Sequence, residues 1–492
     1  MRTLKYLALA ILALVTFMVA RTVIILPSGS PADLKLPTLP TGEVSAMANN
    51  LSAAVRIQTI SRGPELAPDH TAFTAFHQFL ADTYPAAHEV MEREVFGGYS
   101  LMYRWPAVQI SGQPSDKKPI AFAAHMDVVP VEMRAGSAWR HDPFAGFIDD
   151  AGVIWGRGTM DDKGMLVALM ESVERLVGVG FAPDRDIYFL FGHDEELGGD
   201  KGAAVMAAAL KQRGVQLSFL IDEGSAIVSG AVPGVKSPVA LVSLGEKGGV
   251  TLKFSAEDEG GHSSAPKKFT AASLAAKAGY LVSDNPYPVE LDEHLEAFIT
   301  AVAPEMGFAE RLAIANLWAT RPLLADTLAE NPTIAAFMHT TTAFTMMKAG
   351  TKLNVLPQYG EAVVNYRIHP RDTVEGIIER ARALIGDERI TITNMGGREA
   401  TIMSPVDSEG YRMITETVTD TFGPIPIAPT LTVGGTDGRH YYSVADGVYR
   451  FTPTVFQPGD LKRMHGTNEA TSSEALAGQV VFFENLIKKA AN

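Results

Sequence analysis

Ile120-Ala-Phe-Ala-Ala-His125-Met-Asp127-Val-Val-Pro130 sets an unbroken apolar run directly before an imidazole and a carboxylate. A short continuous apolar run reads as a strand buried on both faces. The pattern recurs downstream: Ile187-Tyr-Phe-Leu-Phe-Gly-His-Asp-Glu195-Glu196 ends in one carboxylate pair and Leu217-Ser-Phe-Leu-Ile-Asp222-Glu223 in another. Helical apolar spacing fills the intervals, over residues 163–177 and 201–213. Strand and helix in alternation predict an α/β fold, a mostly parallel sheet with helices on both faces. Ligands of such sheets bind beyond the carboxyl ends of the strands. The three polar strand ends are therefore expected to meet at one edge.

Outward from this block, residues 100–110 read as a further strand. Leu51, Val55 and Ile57, then Phe73, Phe76, Phe79 and Leu80, recur at helical spacings. Residues 27–42 hold four prolines and predict a semi-rigid linker. Before them, Arg2 and Lys5 precede an apolar run over residues 6–20, which residues 22–26 extend past Arg21. The total matches the roughly 20 residues that span a bilayer. The segment predicts a signal anchor or a signal peptide, with the bulk of the chain membrane-anchored on the periplasmic or extracellular side, or secreted.

Towards the C-terminus the character changes near Lys247. Strands are expected at 250–255, 341–348, 361–369 and 390–394, with helices at 271–282 and 373–385. That βαββαβ order predicts an inserted ferredoxin-like α+β domain. Residues 285–339 are extra to it; their apolar side chains are expected to pack within the insert, or to form a hydrophobic wall for an acyl chain. The resulting plan is 1–26 anchor or signal, 27–44 linker, 45–246 first part of the catalytic domain, 247–398 insert and 399–492 its second part. At 492 residues two domains are expected. The formal charge of −14, without clusters of Lys and Arg, argues against a nucleic-acid partner. The absence of cysteine excludes disulfides and thiolate metal sites.

The polar strand ends carry the chemistry of a divalent metal site. Residues two apart on an extended segment face the same way, so Asp127 is placed to orient a metal-binding His125. In Gly156-Arg-Gly-Thr-Met-Asp161-Asp162-Lys-Gly164, one aspartate would bridge two cations and the other support it or cap the following helix. Of Glu195 and Glu196, one would bind metal and the other take a proton from the attacking water. Met464-His465-Gly-Thr-Asn-Glu469 supplies a second imidazole. The reading is a two-metal hydrolase.

These motifs, with Trp139-Arg-His-Asp-Pro-Phe144 and Asp222-Glu223-Gly224, resemble the dizinc aminoacylase/carboxypeptidase metallopeptidases over residues 46 to the C-terminus. The form Gly192-His-Asp-Glu195-Glu196 and the N-terminal helix look most like the branch with carboxypeptidase S and the N-fatty-acyl-amino-acid synthase/hydrolase. The resemblance implies a zinc-hydrolase catalytic domain and a lid/dimerisation insert. It implies two Zn2+ per subunit, replaceable by Co2+ or Mn2+, one held by His125, Asp161 and Glu223 and the other by Asp161, Glu196 and His465. Asp222 stands as the alternative to Glu223. Glu195 is implied as general base, and Asp127 as the residue orienting His125. His262, in Gly260-Gly-His262-Ser-Ser, is implied to reach the partner subunit's site in a homodimer. Asn354, Arg367 and Arg439 are implied to bind substrate, Arg439 by clamping its α-carboxylate. That substrate is implied to be an N-acyl amino acid or a short peptide.

Overall fold

The computed structural model describes residues 2–108, 115–132 and 138–492. The expected strand at 100–110 is Ser100–Trp105; Gln109 and Ile110 lie outside the described residues. A ten-stranded mixed sheet forms the larger unit, and at its centre Ile187–Gly192, Ile120–His125, Phe219–Asp222 and Val448–Arg450 run parallel in that order. Antiparallel strands flank them. Successive residues of a strand face opposite sides. Ile120, Phe122 and Ala124 thus enter the core under the helices Thr41–Arg56, Lys163–Gly178 and Ser473–Ala490. Ala121 and Ala123 face a second core under the helix Ala203–Gln212. The parallel strands all end at one edge, where His125, Glu195 and Glu223 lie.

The insert is a four-stranded antiparallel sheet in the order Thr341–Ala349, Tyr359–Ile368, Gly248–Glu257, Thr391–Arg398. The helices Ala271–Ser283 and Val374–Ile385 cover one face of it. Both connections to the larger sheet pass through one point. The Glu246 amide donates to Thr401 Oγ1 at 2.8 Å and the Thr401 amide to the Glu246 carbonyl at 3.0 Å. The segments run so close that a Cβ on Gly248 would sit 2.5 Å from the Ala400 nitrogen. The fully buried Glu246 carboxylate lies between Arg450 of the larger sheet, at 2.8 Å, and Arg398 of the insert, at 3.1 Å.

Two expectations need correcting. Residues 285–339 do not pack only within the insert. They form the helices Glu293–Val302, Phe308–Ala315, Leu317–Ala329 and Pro332–Met338. Leu295 and Ile299 enter a cluster that includes Leu26, while Val302 packs with Val239 and Ala428 of the larger unit. An apolar stripe on two sides of one short helix binds it to both. The proline-rich stretch is likewise a docked strap rather than a spacer. The Gly29, Ala32 and Lys35 amides donate to the Pro304 carbonyl at 2.7 Å, Ser237 Oγ at 2.6 Å and the Phe422 carbonyl at 2.9 Å. Leu34 and Leu39 lie against the main core.

Candidate active site

His125 ends its strand fully buried. Its Nδ1 meets the Asp127 carbonyl oxygen at 2.8 Å and the Asp127 carboxylate at 3.4 Å. Its Nε2 faces Asp161 Oδ1 at 2.9 Å and Glu223 Oε1 at 3.3 Å. The other oxygen of Asp161 lies 3.0 Å from His465 Nε2, which is also 3.2 Å from Glu196 Oε2. One carboxylate thus stands between two imidazoles, and each imidazole has a second carboxylate beside it. The Asp161–Asp162 peptide is cis.

The Asp127 carboxylate does more than orient an imidazole. It accepts from Ser61 Oγ at 2.6 Å and from the Glu195 and Glu196 amides, each at 3.2 Å, fixing the turn that carries both glutamates. Glu223 turns towards His125. Asp222 turns away, accepting from the Glu223 amide at 2.9 Å and the Gly438 amide at 2.5 Å. Asp162 makes no side-chain cap bond, contrary to the capping role considered for it. Both its oxygens, and Glu196 Oε1, are buried without a hydrogen-bond partner among the described residues.

The crowding of anions dominates the electrostatics. Burial, reinforced by the Asp161 charge, pushes Glu223 up to about 8. Burial lifts Glu195 well above the usual carboxylate range, with Glu223, Asp437 and Glu196 adding to it. Burial would depress the His125 imidazolium, but the Glu223 charge and hydrogen bonds to Asp127 and Asp161 raise it well above normal. Hydrogen bonds to Asp161 and Glu196 raise His465 to about 10. Ligand atoms of His125, Glu195 and Glu223, and of His125, Asp161 and Glu196, lie within 4.8 Å of one another. Imidazoles and carboxylates so close, several of their oxygens unpartnered, fit divalent cations, whose charge would relieve the repulsion.

Glu469 holds this geometry from behind, a role its sequence motif did not reveal. It is fully buried and accepts from Arg157 at 2.5 Å, from the Gly158 and Met160 amides at 2.9 Å and from the Asp161 amide at 3.3 Å. Arg157 also donates to the Gly466 carbonyl at 2.9 Å, tying the Asp161 turn to the His465 loop. His465 adopts a left-handed φ of 55°, a conformation costing about 1–3 kcal/mol that surrounding bonds must hold. Glu469→Ala leaves Arg157 buried and unpaired; the expected loss is about 3–5 kcal/mol of unfolding free energy, read by denaturant titration. Asp437 was also missed. It lies so close to Gly192 and Gly199 that a Cβ on either would collide with its carboxylate, and burial raises it well above normal.

The insert residues are not gathered at this cluster. His262 is exposed on the small ladder of Gly261–His262 with Val355–Leu356, its Nδ1 2.7 Å from Ser264 Oγ. Asn354 is exposed beside it, its carbonyl accepting from the Ser263 amide at 3.2 Å. Arg367 is exposed on the strand Tyr359–Ile368. Arg439 is different. Half-buried, it donates to the Thr436 carbonyl at 2.9 Å and to the Gly198 carbonyl, three residues after Glu195. It lines a cleft of about 760 Å³ between the larger sheet and the insert, with Gly198, Asn365, Arg398 and His440.

A family model described as Peptidase family M20/M25/M40 matches residues 121–489. The probable carboxypeptidase S-like 2 of Dictyostelium discoideum is 37% identical over 447 residues, covering 90% of this chain and 84% of that protein. The N-fatty-acyl-amino acid synthase/hydrolase PM20D1 of Homo sapiens is 35% identical over 451 residues, 90% of this chain and 88% of that protein. Among solved structures, the M20 family metallo-carboxypeptidase Sso-CP2 from Sulfolobus solfataricus superposes with a TM-score of 0.61 at 16% identity. The match covers 90% of this chain and 99% of that one, a likeness of fold.

Proposed function

Because the chain belongs to peptidase family M20/M25/M40 and is an enzyme of the metallopeptidase and amidohydrolase class, we propose that it hydrolyses the amide bond of N-acyl amino acids. The observation that carries this reading is the placement of Asp161, one oxygen towards each of two histidines, with Glu195 beside them. His125, Asp161 and Glu223 would hold one ion, and Asp161, Glu196 and His465 the other. When bound, two divalent cations, zinc being typical of the family, supply Lewis-acid activation of water and amide carbonyl.

The rest is the work of side chains. Arg439 at the cleft pairs with the α-carboxylate of the substrate, a geometry its planar fork suits. Glu195 takes a proton from the attacking water and delivers it to the leaving amine nitrogen. Its burial, which disfavours the charged carboxylate, favours holding that proton between the two steps. His262, exposed on the insert, is free to enter the site of a second subunit and donate to the carbonyl oxygen, which requires a homodimer. The N-terminal helix anchors the protein with its catalytic unit outside the cytoplasm, or serves as a cleaved signal.

Fatty acyl chains are favoured by the relatives named as N-fatty-acyl-amino acid synthase/hydrolases, which also admit the reverse, synthetic direction. The test is parallel release of phenylalanine from oleoyl-phenylalanine and from a dipeptide by the metal-loaded enzyme. The expected kcat/KM favours the acyl substrate by about tenfold or more, the scale on which an apolar pocket discriminates. A dipeptide cleaved faster supports the second reading, a carboxypeptidase or dipeptidase, for which the 37% identity to a probable carboxypeptidase S-like protein speaks.

A further inference from the structure

The N-terminal helix Arg2–Ile25 does not leave the protein as a free rod. Its last turns dock into the corner between the helices Phe308–Ala315 and Leu317–Ala329. Asn316, fully buried there, donates to the Met18 carbonyl and Thr22 Oγ1, each at 3.2 Å, and to the Leu312 carbonyl at 2.8 Å. Arg21 donates to the Ala315 carbonyl at 2.7 Å, and Arg311 to the Leu26 carbonyl at 3.0 Å. Nearer the N-terminus the helix stands clear of the protein, and residues Thr3–Ile25 are apolar and long enough to cross a bilayer.

The same corner turns large apolar side chains outward. Trp318 is 57% exposed with its ring 6.3 Å from Phe17, Leu323 is 72% exposed and Phe308 46%. At a rise of about 1.5 Å per residue, Phe17 lies about 6 Å from Arg21 along the axis and Lys5 about 24 Å from it. With Lys5 and Arg21 at the two headgroup levels, Phe17 falls one turn inside the outer boundary, and Trp318 sits beside it. Tryptophan concentrates at that depth.

We propose that the helix Leu317–Ala329 is a second membrane contact, with Trp318 and Leu323 seated in the lipid–water interface of a phospholipid bilayer beside the anchor. The inference rests on the reading of the N-terminal helix as an uncleaved span. Contact at two points fixes the rotation of the catalytic unit against the membrane, which a single helix leaves free.

The test uses the full chain reconstituted in phosphatidylcholine vesicles, with and without lipids brominated high on the acyl chain. Tryptophan emission is expected to be quenched by the brominated lipid, and Trp318→Phe to remove that quenching while carbonate washing leaves both proteins in the vesicles. Since the chain has no cysteine, Leu323→Cys offers one labelling site, where an environment-sensitive dye is expected to shift to the blue on reconstitution. Equal quenching in wild type and Trp318→Phe overturns the proposal, as does an unshifted dye in carbonate-resistant protein. Packing of this helix against a second copy would likewise leave Trp318 unquenched. Release by carbonate overturns the anchor reading instead, and the proposal with it.

Discussion

Glu195→Gln is expected to lower kcat by about 10²–10⁴-fold, the usual contribution of a general base, with metal content unchanged. The amide keeps the volume of the side chain but cannot accept and return a proton. Its backbone would stay in place, because the Glu195 and Glu196 amides are fixed by Asp127, which the substitution does not touch. Steady-state kinetics paired with metal analysis by mass spectrometry separates this from a ligand role. Turnover near that of the wild type would reject Glu195 as the base, and loss of metal would make it a ligand instead.

Asp161→Ala should abolish turnover through loss of both cations. Asp161 is the one described carboxylate within 3.0 Å of both His125 and His465. Disturbing groups that merely support ligands weakens metal binding by about 10–100-fold, and removing a shared ligand should exceed that. His465→Ala is the control, since it leaves His125, Asp161 and Glu223 together and should release one ion of two. Equilibrium dialysis followed by metal counting reads both variants. Two ions retained by Asp161→Ala would exclude a bridging role.

The sequence carried the architecture because the central strands are short and apolar on both faces, and three of the polar residues of interest end or closely follow one. His125, Glu195 and Glu223 could be placed at one edge on that ground alone. Choosing between Asp222 and Glu223 was beyond it. Neighbouring acidic residues differ only in which way they face, and that depends on the Gly438 amide, over two hundred residues away, which engages Asp222. Ser61, Asp437 and Glu469 act through the same kind of distant partner and leave no local signature. The helices of residues 285–339 were legible as apolar, but apolarity does not name the surface that is covered. Here it is divided among the helices themselves, the catalytic sheet and the foot of the N-terminal helix.

The single crossing point between the two sheets bears on how such a chain could arise. Glu246 and Thr401 are bonded to each other on either side of the insert, so the host polypeptide is spatially almost continuous without it. A domain whose two ends meet can be spliced into a loop with little disturbance to the surrounding fold. The larger unit is therefore laid out as a core that accepts a further module at one socket. Modules of different size or surface could be exchanged there, changing what the enzyme meets while the polar strand ends of the larger sheet stay as they are.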